Sequence, residues 1–322
     1  MLSLHSRIDA WRNATWRVRE PTSSSLATLN PWVTASTVTR IGSAVRSALQ
    51  QPADGCAIPR GAVVLSIADP SVARLKEVAL RRVSHLQCFM RRLVTLCLGG
   101  YADSRGGTCV DVSRRKGGSS FRGEVWNQLS WAKWPLIYVA LTQGGAKLAL
   151  FVDADVLLLR DPFERMDAAR LPEVSFHHQE ELSTCSNPSC GIPCRINTGF
   201  LLVSSASFCR EVMRQLHPRR WPARMPLDQD VLQWGMKAFL RREHNVTSCS
   251  FPAQVFTGHC SEPYAQRLHV RGIKKINRCN LVSYHATCLT NVSSKLAQLE
   301  AILGQVERRC SKKKRAPQLR GV

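Results

Sequence analysis

Residues 147–163 read KLALFVDADVLLLRDPF, and the fold turns on how that stretch is understood. Leu148 to Val152 is a short apolar run that breaks abruptly into Asp153-Ala154-Asp155; Val156 to Leu159 is a second run, closed by Arg160-Asp161-Pro162. A continuous hydrophobic run of strand length reads as a strand covered on both faces. Two carboxylates at the end of such a strand are costly unless something compensates their charge. In extended backbone, residues i and i+2 point the same way. Asp153 and Asp155 are therefore expected to converge on one divalent cation if the chain stays extended there. In open α/β sheets ligands collect outside the carboxyl ends of the strands, and a hard cation held by one or two carboxylates completes its shell with water and ligand phosphate. The local chemistry points to a metal–diphosphate site. A turn carrying two solvated aspartates is the competing reading, and the apolar run in front of them weighs against it.

Working outward, Ala62 to Ile67 is a strand pattern ended by Ala68-Asp69-Pro70, with Ser71 placed to cap a helix reaching about Met90. Leu93 to Leu98 is a second strand, and Thr108 to Val112 a short third one inside a Gly/Arg/Ser-rich loop. Gly123 to Leu141 has helical character, with Pro135 marking a kink or restart. After the aspartates, 161–195 reads as loop. Asn197-Thr198-Gly199 leads into the apolar run Phe200 to Val203, and Ser204 to Leu216 is a helix. Leu227-Asp228-Gln229-Asp230 opens another helix, its acids sitting where the dipole favours them. Short strands and loops fill 245–285, ending in Ser283-Tyr284-His285, and a helix runs from Ser293 to Val306. The alternation of strands and helices before residue 160 predicts an α/β fold with a mostly parallel central sheet and helices on both faces. Residues 1–58 read as a leader or stem, mostly unstructured with a short helix near Val45. Residues 59–306 read as one catalytic-size domain, and 307–322 as a basic tail.

The 322-residue chain carries 45 Lys+Arg against 23 Asp+Glu, a formal charge of +22, and its pI is about 10.1. Such a charge implies an anionic partner. There is neither an aromatic RNP pattern nor a zinc-finger spacing, so no nucleic acid is expected. Thirteen cysteines and three sequons, at Asn13, Asn245 and Asn291, favour an oxidising secretory compartment such as the Golgi lumen. No apolar stretch approaches the about 20 residues of a membrane span. Membrane association would then require a missing or unrecognised N-terminal anchor, and the Arg- and Ser-rich start also fits a plastid or other organelle address. Cys185, Cys190 and Cys194 lie near His177 and His178. A disulfide-stapled loop is favoured there over a zinc site, because no Cys-x2-Cys pair exists. Cys260, Cys279 and Cys288 are placed to staple the C-terminal region in the same way.

Four motifs stand in fixed order: FVDADVLLLRDPF, NTGFLLV, DQDVL and SYHATC. Together they resemble the nucleotide-diphospho-sugar transferase family, in particular the family 77 plant-type xylosyl- and arabinosyltransferases, over roughly Ala62 to Glu300. The closing His-Ala-Thr-Cys and Lys295 look like the family's His-Ala-Asn-Cys segment, with Thr287 replacing the Asn. The resemblance implies a Rossmann-like GT-A fold. It implies transfer of a sugar from a nucleotide diphosphate, usually UDP, to a glycan or protein acceptor, with Mn2+ as metal and a retaining outcome. By the same resemblance Asp153 and Asp155, joined by His285, would hold the metal and donor diphosphate across Ala154. Ile67, Ala68 and Asp69 would face the uracil and ribose, and Lys133 would lie near the diphosphate. Asn197 would meet the donor sugar, with Gly199 allowing close backbone approach. Asp228, Gln229 and Asp230 would lie beside the sugar and its anomeric carbon. Each has a plainer counterpart: a helix start for Asp69, a solvated lysine for Lys133, a turn for Asn197, helix capping for Asp228 and an ordinary histidine for His285. The basic charge suggests an acidic acceptor. The contrasting function is a catalytically silent GT-A-fold protein that binds polyanions or glycans.

Overall fold

The computed structural model describes residues 33–52, 54–102, 106–112, 124–166, 171, 174–180, 196–216, 227–233, 247–252, 255–259, 277–289 and 291–314. Ten strands fall in this set: β1 Ala62–Ala68, β2 Leu93–Leu98, β3 Thr108–Val112, β4 Leu148–Val152, β5 Val156–Leu158, β6 Phe176–Glu180, β7 Ile196–Val203, β8 Ser248–Ser250, β9 Phe256–Gly258 and β10 Ser283–His285. The helices are α1 Ala35–Gln50, α2 Ala73–Leu80, α3 Gln87–Arg91, α4 Glu124–Thr142, α5 Ala206–Leu216 and α6 Val292–Lys314, with a further helical stretch at 228–233. None of them is long and apolar enough to cross a membrane.

Seven strands form the main sheet in the order β3-β2-β1-β4-β7-β6-β8. All its neighbours are parallel except those of β7, which runs antiparallel to β4 and β6. The strands are apolar on both faces, and successive residues serve different cores. Val63, Leu65, Ala149, Phe151, Leu201 and Val203 pack with α1, α4 and α5 on one side. Val64, Leu148, Leu150, Val152, Phe200 and Leu202 pack on the other, with Leu80, Phe89 and Met90. That is why β4 reads as an unbroken apolar run rather than an alternating one. A second sheet, β5-β10-β9, is covered by α2 and α6 through Leu75, Val78, Leu157, Tyr284, Leu299 and Leu303.

Several elements depart from the sequence expectation. The helix expected near Val45 is present but longer than a short one, and part of the expected 1–58 leader is packed structure: 35–50 is a 16-residue helix. Thr34 Oγ1 accepts from the Thr37 N–H, and Val38, Ile41, Val45 and Ala48 enter the main core. Each such aliphatic side chain removed from water contributes about 1.5–3 kcal/mol, which outweighs the modest helix propensity of the Ser, Thr and Val around it. The helix expected over 71–90 is split. A 3-10 turn at Pro70–Val72 is followed by α2, and the chain then breaks before α3, which a Cys56–Cys88 disulfide ties down. Pro135 lies inside one continuous α4 rather than at a restart. β6 occupies part of the segment read as loop. Its Phe-His-His-Gln-Glu lacks an apolar alternation because the sheet buries His178 and Gln179 themselves. At the other end α6 continues to Lys314, so the expected tail begins inside a helix that a Cys279–Cys310 disulfide holds to the body. Cys249 and Cys288 are also disulfide-bonded. Cys185, Cys190, Cys194, Cys260 and the Asn13 and Asn245 sequons lie outside the described residues.

Candidate active site at the switch point of the sheet

After β1 the chain builds β2 and β3 to one side, then returns to place β4 on the other. The strand order therefore reverses between β1 and β4, and in open α/β sheets the carboxyl ends at such a reversal are where ligands bind. Ile67 and Ala68 close β1 there, paired to Leu96 and Cys97 of β2. Asp69 follows, only 5% exposed. Its Oδ1 accepts from the Ser71 backbone N–H at 2.9 Å and the Ser71 hydroxyl at 2.5 Å. The carboxylate thus caps the Pro70–Val72 turn, the plainer of its two expected roles.

Asp153, Ala154 and Asp155 continue from β4, but not in extended backbone. The Val156 N–H donates to Asp153 O at 3.1 Å, so Ala154 and Asp155 form the middle of a turn that links the two sheets. The turn, not strand alternation, brings the carboxylates together. Strand β10 supplies the third group: His285 pairs antiparallel with Val156, and the Ala286 N–H donates to Asp155 O at 3.1 Å. One ligand atom each of Asp153, Asp155 and His285 lies within 4.8 Å of the others, the one such group of acidic, His or Cys residues among the described residues. His285 Nε2 is 3.1 Å from Asp155 Oδ1, and its Nδ1 is 3.2 Å from Gln179 Oε1. Asp155 Oδ2 accepts from Lys295 Nζ at 2.5 Å.

β7 forms the opposite wall. Gly199 O accepts from the Asp153 N–H at 2.8 Å. A Cβ on Gly199 would lie 2.2 Å from His285 Cε1 and 2.7 Å from Asp153 Oδ2, so only glycine lets the imidazole and the carboxylate share this space. Asn197 Oδ1 accepts from the Gly199 N–H at 2.9 Å, which leaves the side-chain NH2 as what Asn197 offers a ligand.

Beneath lies Lys133 of α4, 2% exposed. Its Nζ donates to Thr198 O and Oγ1 at 3.0 and 3.1 Å, and stands 3.3 Å from Asp228 Oδ2 and 3.8 Å from Asp153 Oδ2. Asp228 is fully engaged: Trp134 Nε1 donates to Oδ2 at 3.1 Å and Thr198 Oγ1 to Oδ1 at 3.2 Å. Its carboxylate faces Lys133 rather than capping its helix, whose first N–H groups bond to Leu227 O instead. Gln229 and Asp230 follow in the first turn, each half-buried.

The charges balance locally. Burial pulls the Lys133 pKa down, but Asp153, Asp228 and Asp155 together outweigh it and hold the group above its ordinary value. Burial pushes Asp155 up; Lys295 and His285 overcome it and leave the carboxyl well below the usual range. Asp153 is raised, by burial first and by the Asp155 charge, against the pull of Lys133. Two carboxylate oxygens and an imidazole nitrogen, crowded to this degree and with Gly199 kept free of a side chain, form a donor set that fits a divalent cation.

Sequence reasoning brought Asp153, Asp155, His285, Lys133, Asn197, Gly199 and Asp228 to one place. It missed Gln179, Trp134 and Thr198, whose partners are distant in sequence. His177 stacks on Phe251 and His178 lies tilted against Phe176, and neither belongs to a metal-holding group among the described residues.

The nucleotide-diphospho-sugar transferase family model matches residues 101–299, which is 199 of the 322 residues. The matched span holds Lys133, both aspartates, Asn197, Asp228, His285 and Lys295, and excludes the end of β1. No curated protein matches the chain. Among solved structures, a glycosyltransferase involved in glycosylation of the major capsid of the virus PBCV-1 is 15% identical, with TM-score 0.45 over 74% of this chain and 98% of its own. The galactosyltransferase LgtC, solved with donor and acceptor sugar analogues, is 13% identical, with TM-score 0.42 over 75% and 95%. Mouse xyloside xylosyltransferase 1 is 15% identical, with TM-score 0.39 over 71% and 98%.

Proposed function

Since the chain belongs to the nucleotide-diphospho-sugar transferase family, we propose that this glycosyltransferase moves a sugar from a UDP-sugar to a glycan or protein acceptor, with a divalent cation, Mn2+, held by Asp153, Asp155 and His285. The observation that carries the reading is the meeting of those three side chains at the β1–β4 switch point.

When bound, the cation offsets negative charge on the departing diphosphate. The remaining work falls to side chains of this chain. Lys295 and Lys133 stand beside Asp155 and Asp153, so both are positioned to add positive charge on the diphosphate side of the site. Preorganised charge of this kind acts without reorganisation as the bond breaks. Ile67 and Ala68 at the end of β1 form the floor for the base and ribose, with Asp69 closing that end. On the sugar side, the Asn197 NH2, Gln229 and Asp230 provide amide and carboxylate groups for sugar hydroxyls and for the electron-poor anomeric carbon. Asp228, held by Trp134, Thr198 and Lys133, anchors the start of their helix. A retaining outcome follows from the family resemblance.

Three intact disulfides among the described residues support an oxidising secretory compartment, with the Golgi lumen as the expected site. The excess of basic residues favours an acidic acceptor. The test is release of UDP from a panel of UDP-sugars by the purified protein with Mn2+. Turnover of at least one donor, abolished by Asp153→Ala, is expected. No turnover of any donor by the wild type favours a silent binding protein instead.

A further inference from the structure

Gln179 is 1% exposed, a primary amide buried at the end of β6 where an apolar side chain would cost nothing in desolvation. Its burial coincides with an irregularity. The β6–β7 register shifts between His178 and Gln179, so that Gln179 lies opposite Asn197 while His178 lies opposite Leu201. Such bulges re-aim a side chain, and they recur beside active sites. Here the extra residues, 198–200, are on β7, and past this break in the ladder Gln179 reaches the second sheet. Its Nε2 donates to Thr257 O of β9 at 2.6 Å, and its Oε1 lies 3.2 Å from His285 Nδ1 on β10.

The first contact decides the second. Thr257 O only accepts, so the amide nitrogen must face it and the amide oxygen must face His285. An oxygen at Nδ1 requires that this nitrogen carry the hydrogen. With that hydrogen fixed on Nδ1, Nε2 is the atom left to face Asp155 Oδ1 at 3.1 Å. It is joined to the carboxylate by a proton when no metal is bound, and it ligates a cation that takes that proton's place. Gly199 closes the other side of the ring, since a Cβ there would lie 2.2 Å from Cε1. The imidazole is thereby fixed both in tautomer and in tilt.

We infer that Gln179 is a positioning residue for the cation site: through its amide, locked by Thr257 O, it sets the His285 tautomer that leaves Nε2 free to bind metal. Outer partners of ligating histidines do this generally, and their loss typically weakens metal binding about 10–100-fold. The inference rests on the metal reading of Asp153, Asp155 and His285, and the experiment separates the two.

Mn2+ binding is measured by titration of the free-ion EPR signal, alone and with UDP, for wild type, Gln179→Leu, His285→Ala and the double variant, each checked for folding by near-UV circular dichroism. Gln179→Leu is expected to lose about 10–100-fold in Mn2+ affinity while remaining folded. In the His285→Ala background the same substitution is expected to add little, because its effect passes through the imidazole. Should the leucine variant not fold, Gln179→Met is measured instead. Its unbranched side chain is close to glutamine in length but offers Nδ1 no oxygen, so it too must weaken Mn2+ binding. Unchanged Mn2+ affinity in the folded leucine variant, or in the methionine variant used in its place, overturns the inference alone, as does an equal loss in both backgrounds. Absence of Mn2+ binding by the wild type overturns the metal reading and the inference with it.

Discussion

Lys133 Nζ lies 3.3 Å from Asp228 Oδ2, and both side chains are nearly sealed from solvent, at 3% and 4% exposed. This pair joins α4 to the 228–233 helix, and through the 3.8 Å approach of Nζ to Asp153 Oδ2 it extends to the cation site. Removing one member of such a pair leaves the other charge buried without its counter-ion. Lys133→Met is therefore expected to destabilise the protein by about 3–5 kcal/mol, read as a shift in urea midpoint. Asp228→Asn, which keeps a polar group for Trp134 and Thr198, should cost less. Equal or negligible losses in both variants would contradict the pairing.

Gly199 makes the second prediction. A methyl group there meets His285 and Asp153 together, and neither can retreat freely, since the Asp153 N–H is bonded to Gly199 O. Gly199→Ala should displace the donor set by a fraction of an ångström to an ångström. Misplacement on that scale costs up to about 100-fold in rate. A kcat/KM assay beside a thermal melt checks this: activity should fall far more than stability, and unchanged activity would mean the site is looser than the distances indicate.

Acid should weaken the fold through β6. Burial lowers the His177 pKa from its ordinary 6.5 to about 4, and it does the same to His178, with the His177 charge adding to it and the Gln179 carbonyl opposing. Both are folded as neutral rings, so the unfolded chain binds more protons between about pH 6.5 and pH 4. Stability is full above pH 6.5 and falls as pH drops through that window. At pH 5 the loss is about 2 kcal/mol for each ring, from 1.36 kcal/mol per pH unit. Urea midpoints at pH 7.5, 6 and 5 measure it. Replacing His178 by Phe should flatten the decline, and an unchanged slope would place the acid sensitivity elsewhere.

Much of this was legible in one dimension because the fold wrote it locally. β4 is apolar on both faces and ends in acids, so the Leu148–Asp155 stretch announces both a buried strand and a site. His285 was found through a motif, not through its distance of 130 residues from Asp155. What escaped has physical reasons. A helix near Val45 was expected, but not its length or its burial: Val38, Ile41, Val45 and Ala48 are too sparse among Ser, Thr and Arg to announce a core face before the core they fill is known. β6 hides because the sheet buries histidine and glutamine where a strand pattern would show valine or isoleucine. Gln179 meets Thr257 and His285 only through sheet pairing and a bulge, and neither leaves a periodic trace. The convergence of Asp153 and Asp155 was expected, but its cause was not: a turn bonded from Val156 N–H to Asp153 O replaces extended alternation.

The Cys279–Cys310 disulfide closes a separation of 31 residues and anchors the far end of α6. The near end of that helix carries Lys295, bonded to Asp155, and its first turn is capped by Asn291, whose Oδ1 accepts from the Ser294 N–H at 2.7 Å. The middle is held by Leu299, Ile302 and Leu303 in the core beneath the second sheet. Chain-entropy reasoning gives a loop of this length about 3–4 kcal/mol of stabilisation, so Cys310→Ser should lower the unfolding midpoint by a corresponding amount. The apolar contacts and the cap remain in that variant, and they hold the segment that presents Lys295. Activity at a temperature where the variant is folded should therefore stay within about twofold of the wild type, since distant sites with no shared partner act almost independently. A large loss of kcat in a folded Cys310→Ser protein would show instead that the covalent tie, and not the core contacts of Leu299 and Ile302, sets the position of Lys295 over Asp155.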